Sequence, residues 1–417
     1  MTSKRVLPWA IALAGCASLG PAARTPPPIL AIVGATVFPA PDSEPIPDAV
    51  ILIGADGKIA AVGPSAKTPV PPSVQRIEAR GHFVTAGFWN CHVHLTPPLF
   101  PSGATAPAAA LAAAVADLAL RRGITTIVDL GSFLDSTLAL RRRIDRGEFP
   151  GPTIYTAGPP IFAKDGLPIY ARALFEELHF VPTQVTGPED ARAAARAVLD
   201  GGADLVKLFT GAPVGAGRVV TMDPGAIKAA TEEAHRRGHQ VFAHPQSLEG
   251  MKVAVENGVD VLAHLAPRAG VLPPSFTAEL RAQKVAVVPT LTLFYDGLIQ
   301  EGETPEDARA FQDRAVDQLR GLVTSSVEIL FGTDVGYTHV TDTTEELLTM
   351  AKAGMTWRAI LAAMTTAPAA HFKKDARLAP GLPADLVVLD SDPRADITVL
   401  ARPAITIRHG AIVYRAP

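Results

Sequence analysis

The chain has 417 residues, 48% of them apolar and 19% charged, which is enough to bury a large core and excludes a disordered segment. That length suits one large domain with a smaller companion. A formal net charge of −3 excludes a nucleic-acid binder held by a basic surface, and two cysteines, Cys16 and Cys91, exclude a disulfide framework.

At the start, Lys4 and Arg5 precede an apolar run that closes on Leu13-Ala14-Gly15-Cys16. A charged start, a short apolar run and small residues at its end predict an export signal over residues 1–15. The run is too short for a permanent span of a bilayer. Its last four residues resemble the lipobox of bacterial lipoproteins. The resemblance implies cleavage before Cys16, lipid on that cysteine, and a membrane anchor on the periplasmic side, with Ala17 fitting the outer membrane. An ordinary signal cut after Ala14 is the alternative, and the chain is exported in both cases. Residues 16–28, small and Pro-rich, read as a tether.

Short strand-like runs follow at 29–38, 49–53 and 58–62, and the end of the chain repeats them at 385–389, 404–408 and 411–414. The middle has another rhythm, in which buried strands alternate with helices. Strands are expected at 83–91, 124–130, 153–156, 204–209, 240–244, 259–264, 285–291 and 327–333. Helices follow at 106–122, 135–146, between 171 and 199, and at 224–237, 248–257, 275–283, 305–323, 344–353 and 357–364. Eight strand–helix units predict an α/β chain built on a (β/α)8 TIM barrel over 81–374. A small discontinuous β-sandwich is expected from both chain ends, 29–80 and 375–417.

The residues that carry chemistry gather at the predicted strand ends. In Asn90-Cys91-His92-Val93-His94 alternate side chains share a face, so His92 and His94 offer two imidazoles to one ion and Cys91 turns away toward the helices. Lys207 stands within an apolar strand, an unusual place for lysine. His244 closes the fifth strand, His264 the sixth, and Asp334 directly follows the eighth. In a barrel all of these collect at the C-terminal mouth, where such enzymes react.

This pattern resembles the amidohydrolase superfamily, especially its imidazolonepropionase-like and Xaa-Pro dipeptidase-like branches. The ending Pro380-Gly381-Leu382-Pro383-Ala384-Asp385-Leu386-Val387-Val388-Leu389, with Asp392-Pro393, is similar to the family's returning strand, and Thr365-Thr366-Ala367-Pro368-Ala369 to its helix after the barrel. The resemblance implies a divalent metal site, with His92, His94 and Asp334 on one ion and His244 with His264 on a second. Lys207 would bridge them as a carbamate formed with carbon dioxide, and zinc suits the imidazoles best. Asp334 would shuttle the proton to the leaving nitrogen. Two readings stay open: Lys207 as an ammonium paired with a carboxylate beside a single ion, and Asp334 as a ligand only. The chain departs from the family in Asn90, where Asp is usual, in Phe88-Trp89, and in the lack of a Gly-Gly-His segment after the third strand.

Tyr170, Arg218, Arg268, Tyr337 and His339 sit in predicted mouth-side loops, where an arginine can clamp a substrate carboxylate. His82, His179, His235, His239, His371 and His409 lie outside the strand-end pattern and take no role. The expected activity is metal-dependent hydrolysis of an amide or cyclic-amide C–N bond in a small molecule, such as an Xaa-Pro-like dipeptide or an N-acyl amino acid. An esterase or lactonase using the same site is the alternative enzyme. A metal-binding lipoprotein without turnover is the alternative outside enzymes.

Overall fold

The computed structural model describes residues 26–96, 98–177, 179–215 and 217–417. The expected export signal, Cys16 and most of the tether lie outside the described residues. Among these residues, no helix is long and apolar enough to cross a membrane.

The two chain ends meet in one eight-stranded sheet. Pro28–Val37 pairs antiparallel with Ile46–Gly54, which pairs with Ile59–Pro64, while Gln75–Glu78 runs parallel beside the first strand. On the other side follow Phe83–Ala86, Leu386–Leu389, Ile405–Arg408 and Ala411–Arg415. Strands expected as a sandwich are thus hydrogen-bonded continuously into a single sheet. Alternation explains its burial: Ile32, Ile51, Val84, Leu386 and Val388 fill one face, whereas Val387 and Leu389 join the larger core with the helices. Residues 83–86, expected to open the first barrel strand, belong instead to this sheet. The break comes at Gly87, whose N–H donates to the Asp385 carbonyl at 2.8 Å and where a Cβ would stand 2.3 Å from Thr125 Oγ1.

The middle is α/β. Phe88–Val93, Ile124–Asp129 and Thr153–Thr156 form one parallel arc. Thr183–Val185, Ile161–Ala163, Leu205–Phe209, Gln240–His244, Val261–Ala263 and Ala286–Val288 form a second. Backbone bonds cross both gaps between the arcs. Asp204 N–H donates to the Thr156 carbonyl at 2.8 Å; Leu330 N–H donates to Val287 at 2.9 Å and Cys91 N–H to Phe331 at 2.7 Å. The segment expected as the eighth strand is therefore extended and bonded on both sides, but by single bridges such as Val287↔Ile329.

Both faces of these strands are buried, as parallel sheets require. Val206, Leu208, Val241 and Leu262 pack with the helices, while Leu205, Phe242, Val261 and Val288 meet one another. Cys91 belongs to that second group, contrary to the expectation that it faces the helices; breaks in pairing register on either side of Asn90 shift the alternation. Helices begin where capping chemistry allows. Asp223, Ser247, Thr304 and Thr356 each accept an N–H three residues on, ahead of Pro224–Arg236, Leu248–Glu256, Pro305–Thr324 and Trp357–Met364. Several elements escaped the sequence reading: the short strands Gln75–Glu78, Ile161–Ala163 and Thr183–Val185, the hairpin Gly211–Gly215 with Arg218–Thr221, and the helix Leu293–Gln300. The hairpin and the helix lie in connections that follow strands.

Candidate metal centre and its cavity

Strand register brings the six expected side chains together. His92 and His94 leave the end of Phe88–Val93 with Nε2 atoms 3.2 and 2.9 Å from Asp334 Oδ1. His264 Nε2 stands 4.0 Å from Asp334 Oδ2, and its ring centroid is 4.3 Å from His92 and 4.6 Å from His244. Pairing of Phe209 with His244 sets Lys207 two residues below that level, and the Phe209 ring stacks on His244 at 4.3 Å. Lys207 is 1% exposed. Among the described residues, His92, His264 and Asp334 alone place one ligand atom each within 4.8 Å of the others.

These residues fit a divalent cation. Both ring nitrogens of His92, Lys207 Nζ and Asp334 Oδ1 are buried and lack any partner with hydrogen-bond geometry, although burial normally demands one. Elsewhere the rings are fixed from behind. The Gly131 carbonyl can only accept, so His94 Nδ1, 3.1 Å away, carries the proton and Nε2 presents a lone pair. Thr290 Oγ1 donates to the Pro289 carbonyl and faces His264 Nδ1 at 2.7 Å, with the same result for His264. His244 Nε2 meets Gln246 Oε1 at 3.1 Å.

Burial, then the Lys207 charge, holds His244 at about 3. Burial likewise holds His92 and His264 well below the usual imidazole value. For His94 burial is outweighed by the Asp334 carboxylate, and the value rises. Burial brings Lys207 down to about 7 against the pull of Asp334. Three imidazoles held neutral by burial, a fourth beside the carboxylate, and an amine able to shed its charge make a donor set for zinc-like ions.

Sequence reasoning missed the layer behind. Asp129, wholly buried at the end of Ile124–Asp129, accepts from Thr156 Oγ1 at 2.6 Å and from the N–H groups of Leu95 and Gly131 at 3.2 and 3.4 Å. It thereby sets the carbonyl that orients His94. Glu346 accepts from Leu291 and Thr292 N–H at 2.8 and 2.7 Å, pinning the segment that carries Thr290. Asn90 does not reach the cluster; its Nδ2 donates to Thr333 Oγ1 at 2.8 Å and its Oδ1 accepts from His92 N–H at 3.2 Å. Gln246, His264, Thr290 and Asp334 all take left-handed backbone, with φ of 53°, 99°, 48° and 63°. Non-glycine residues rarely adopt it, and such strain gathers at functional sites. The one signal open to a sequence reader was Asp129 itself, a carboxylate closing an apolar strand.

Above the cluster lies a cavity of about 940 Å³. Tyr170, Arg218, Arg268 and Tyr337 line it, as the sequence suggests; His339 is exposed and is not among its lining residues. The Tyr170 and Tyr337 rings lie 5.2 Å apart, and Arg268 sits 5.1 Å over the Phe311 ring.

Known proteins share this fold and parts of this sequence. A deacetylase of Agrobacterium fabrum is 40% identical over 82 residues, which cover 20% of this chain and 17% of that one. The chain thus spans about a sixth of the length of that curated relative. A solved Bifidobacterium longum protein classed as a prolidase is 30% identical, with a TM-score of 0.76, covering 93% of this chain and 96% of its own. A solved Xaa-Pro dipeptidase with bound methionine shares the fold at a TM-score of 0.79 and 23% identity, over 93% of this chain and 100% of its own. The sequence pattern of the amidohydrolase family matches residues 83–413, from the inner strands of the sheet through every metal-type residue to the last strand, and so the chain belongs to that family of hydrolases.

Proposed function

We propose that the protein is a metal-dependent hydrolase cleaving an amide or cyclic-amide C–N bond of a small molecule, such as an Xaa-Pro-like dipeptide or an N-acyl amino acid. One observation carries this reading: three buried imidazoles, a fourth half-buried one, a buried lysine and a carboxylate meet on the floor of a large cavity, with unpartnered atoms on His92, Lys207 and Asp334. Relatives described as a prolidase, an Xaa-Pro dipeptidase and a deacetylase support amide cleavage.

His92, His94 and Asp334 would hold one ion and His244 with His264 a second, zinc suiting the imidazoles. Lys207 would lie between them as a carbamate: its neutral Nζ adds to the carbon of carbon dioxide, releases one proton, and becomes an anion that offsets cationic charge. When bound, the ions supply Lewis acidity to a carbonyl and lower the pKa of water. Asp334 takes the proton from attacking water and passes it to the leaving nitrogen. Tyr170 and Tyr337 flank the reacting group, and Arg218 or Arg268 receives a substrate carboxylate. His339, exposed and away from the lining, takes no part.

The two arcs are read as one closed (β/α)8 barrel from residue 87 to 374, supported by backbone bonds across both gaps. The sheet of residues 29–86 and 375–417 forms the smaller domain. Ahead of it, a signal over 1–15, lipid on Cys16 and a tether to 28 would hold the enzyme on the periplasmic face of a membrane.

Native mass spectrometry with metal analysis tests the centre. Two ions and the mass of one added carbon dioxide on Lys207 are expected; one ion with unmodified lysine retracts the bridge. Asp334→Asn should cut turnover of amides by roughly 10²–10⁴ with the melting temperature retained. A panel pairing amides with matching esters overturns the reading if only esters are cleaved.

A further inference from the structure

We infer that one half of the substrate is a flat aromatic group, seated on a wall of phenylalanines that runs from His244 into the cavity. The inference rests on the hydrolytic reading above and adds what the enzyme selects. From His244 the stack continues through Phe209, 4.3 Å away, to Phe162 at 4.6 Å. Phe175 follows at 6.1 Å, then Phe180 at 5.2 Å, and Phe133 closes the row edge-on at 5.2 Å. All five phenylalanines line the cavity. They come from separate strands, from the helix Ile169–Glu177 and from loops, so no single element's packing requires the row.

Phe133, Phe175, Phe180 and Phe209 are only half-buried, leaving ring surface open toward the cavity. Exposed rings in solution are unfavourable, and a planar guest restores offset or edge-to-face contacts that an alkyl chain does not match. Size agrees: about 940 Å³ lies near the top of the range of roughly 300–1,000 Å³ for sites that take drug-sized ligands. The apolar character continues outward, where lining residues Ile169 and Val219 remain 52% and 37% exposed.

The test compares amides with one scissile bond and varied bulk. In one series the acyl side carries 2-naphthoyl, octanoyl or acetyl; in a second the same groups vary on the amine side. In at least one series the naphthyl compound should show a KM about tenfold below its octanoyl and acetyl counterparts. Phe175→Ala and Phe180→Ala should shrink the naphthyl-to-acetyl ratio of kcat/KM about tenfold, with circular dichroism and melting confirming folded variants. Hydrolysis with equal or better use of octanoyl, or variants that leave the ratio unmoved, overturns the aromatic wall while the hydrolytic reading stands. If no amide is cleaved, that reading fails on its own. Calorimetry of N-methyl-2-naphthamide on Asp334→Asn then decides this one: binding weakened about tenfold by Phe180→Ala supports it, and no binding overturns it.

Discussion

At the scale of single residues, the centre depends on groups that never touch a substrate. Thr290 faces His264 Nδ1 at 2.7 Å and leaves Nε2 turned toward Asp334. Thr290→Val keeps the branched shape and the backbone angle but deletes the oxygen. We expect a loss of about 10–100-fold in metal affinity or activity, measured by competition with a chelator; a change under about twofold would show that the hydroxyl positions nothing. The proposed ligands were legible in the sequence, because alternation and strand ends put His92, His94, His244, His264 and Asp334 on one rim. Thr290 and Gln246 were not. Nothing local marks a residue whose partner lies 26 positions away, and a left-handed φ at threonine leaves no trace in composition.

At the scale of elements, the helix Thr344–Lys352 delivers one buried carboxylate. Glu346 is fully buried, and although three donors favour its charge, burial wins and lifts it to about 7. The folded chain therefore keeps a proton that the unfolded chain releases near 4.5. Stability from this group is present below that value and is lost as pH rises through about 7, amounting to roughly 3 kcal/mol at full ionisation. Urea midpoints at pH 5.5 and 8 should show the fall, and Glu346→Gln should remove that component of it. Most elements were readable from capping residues and periodicity. The exceptions have physical reasons: residues 83–91 form one mostly apolar run whose only glycine is Gly87, so the change of sheet there was hidden. Residues 327–333 are extended but bonded through isolated bridges, which sequence cannot distinguish from a full strand.

At the scale of the whole molecule, the sheet from both chain ends is joined to the α/β body by apolar packing. Leu389 is fully buried among the helices, in the same strand whose Leu386 and Val388 face the sheet's own core. Leu389→Ala should cost about 2–5 kcal/mol. Unfolding followed by tryptophan fluorescence and by far-ultraviolet circular dichroism should stay coincident, and separate transitions would show that the sheet melts alone. The tight body below also explains why the rim can stay contorted. Four twisted residues there each forfeit about 1–3 kcal/mol, a debt met by the densely filled interior beneath them. Hardiness and catalysis are therefore opposed in this chain: relaxing Gln246 with glycine would yield a sturdier molecule whose His244 has lost its rest.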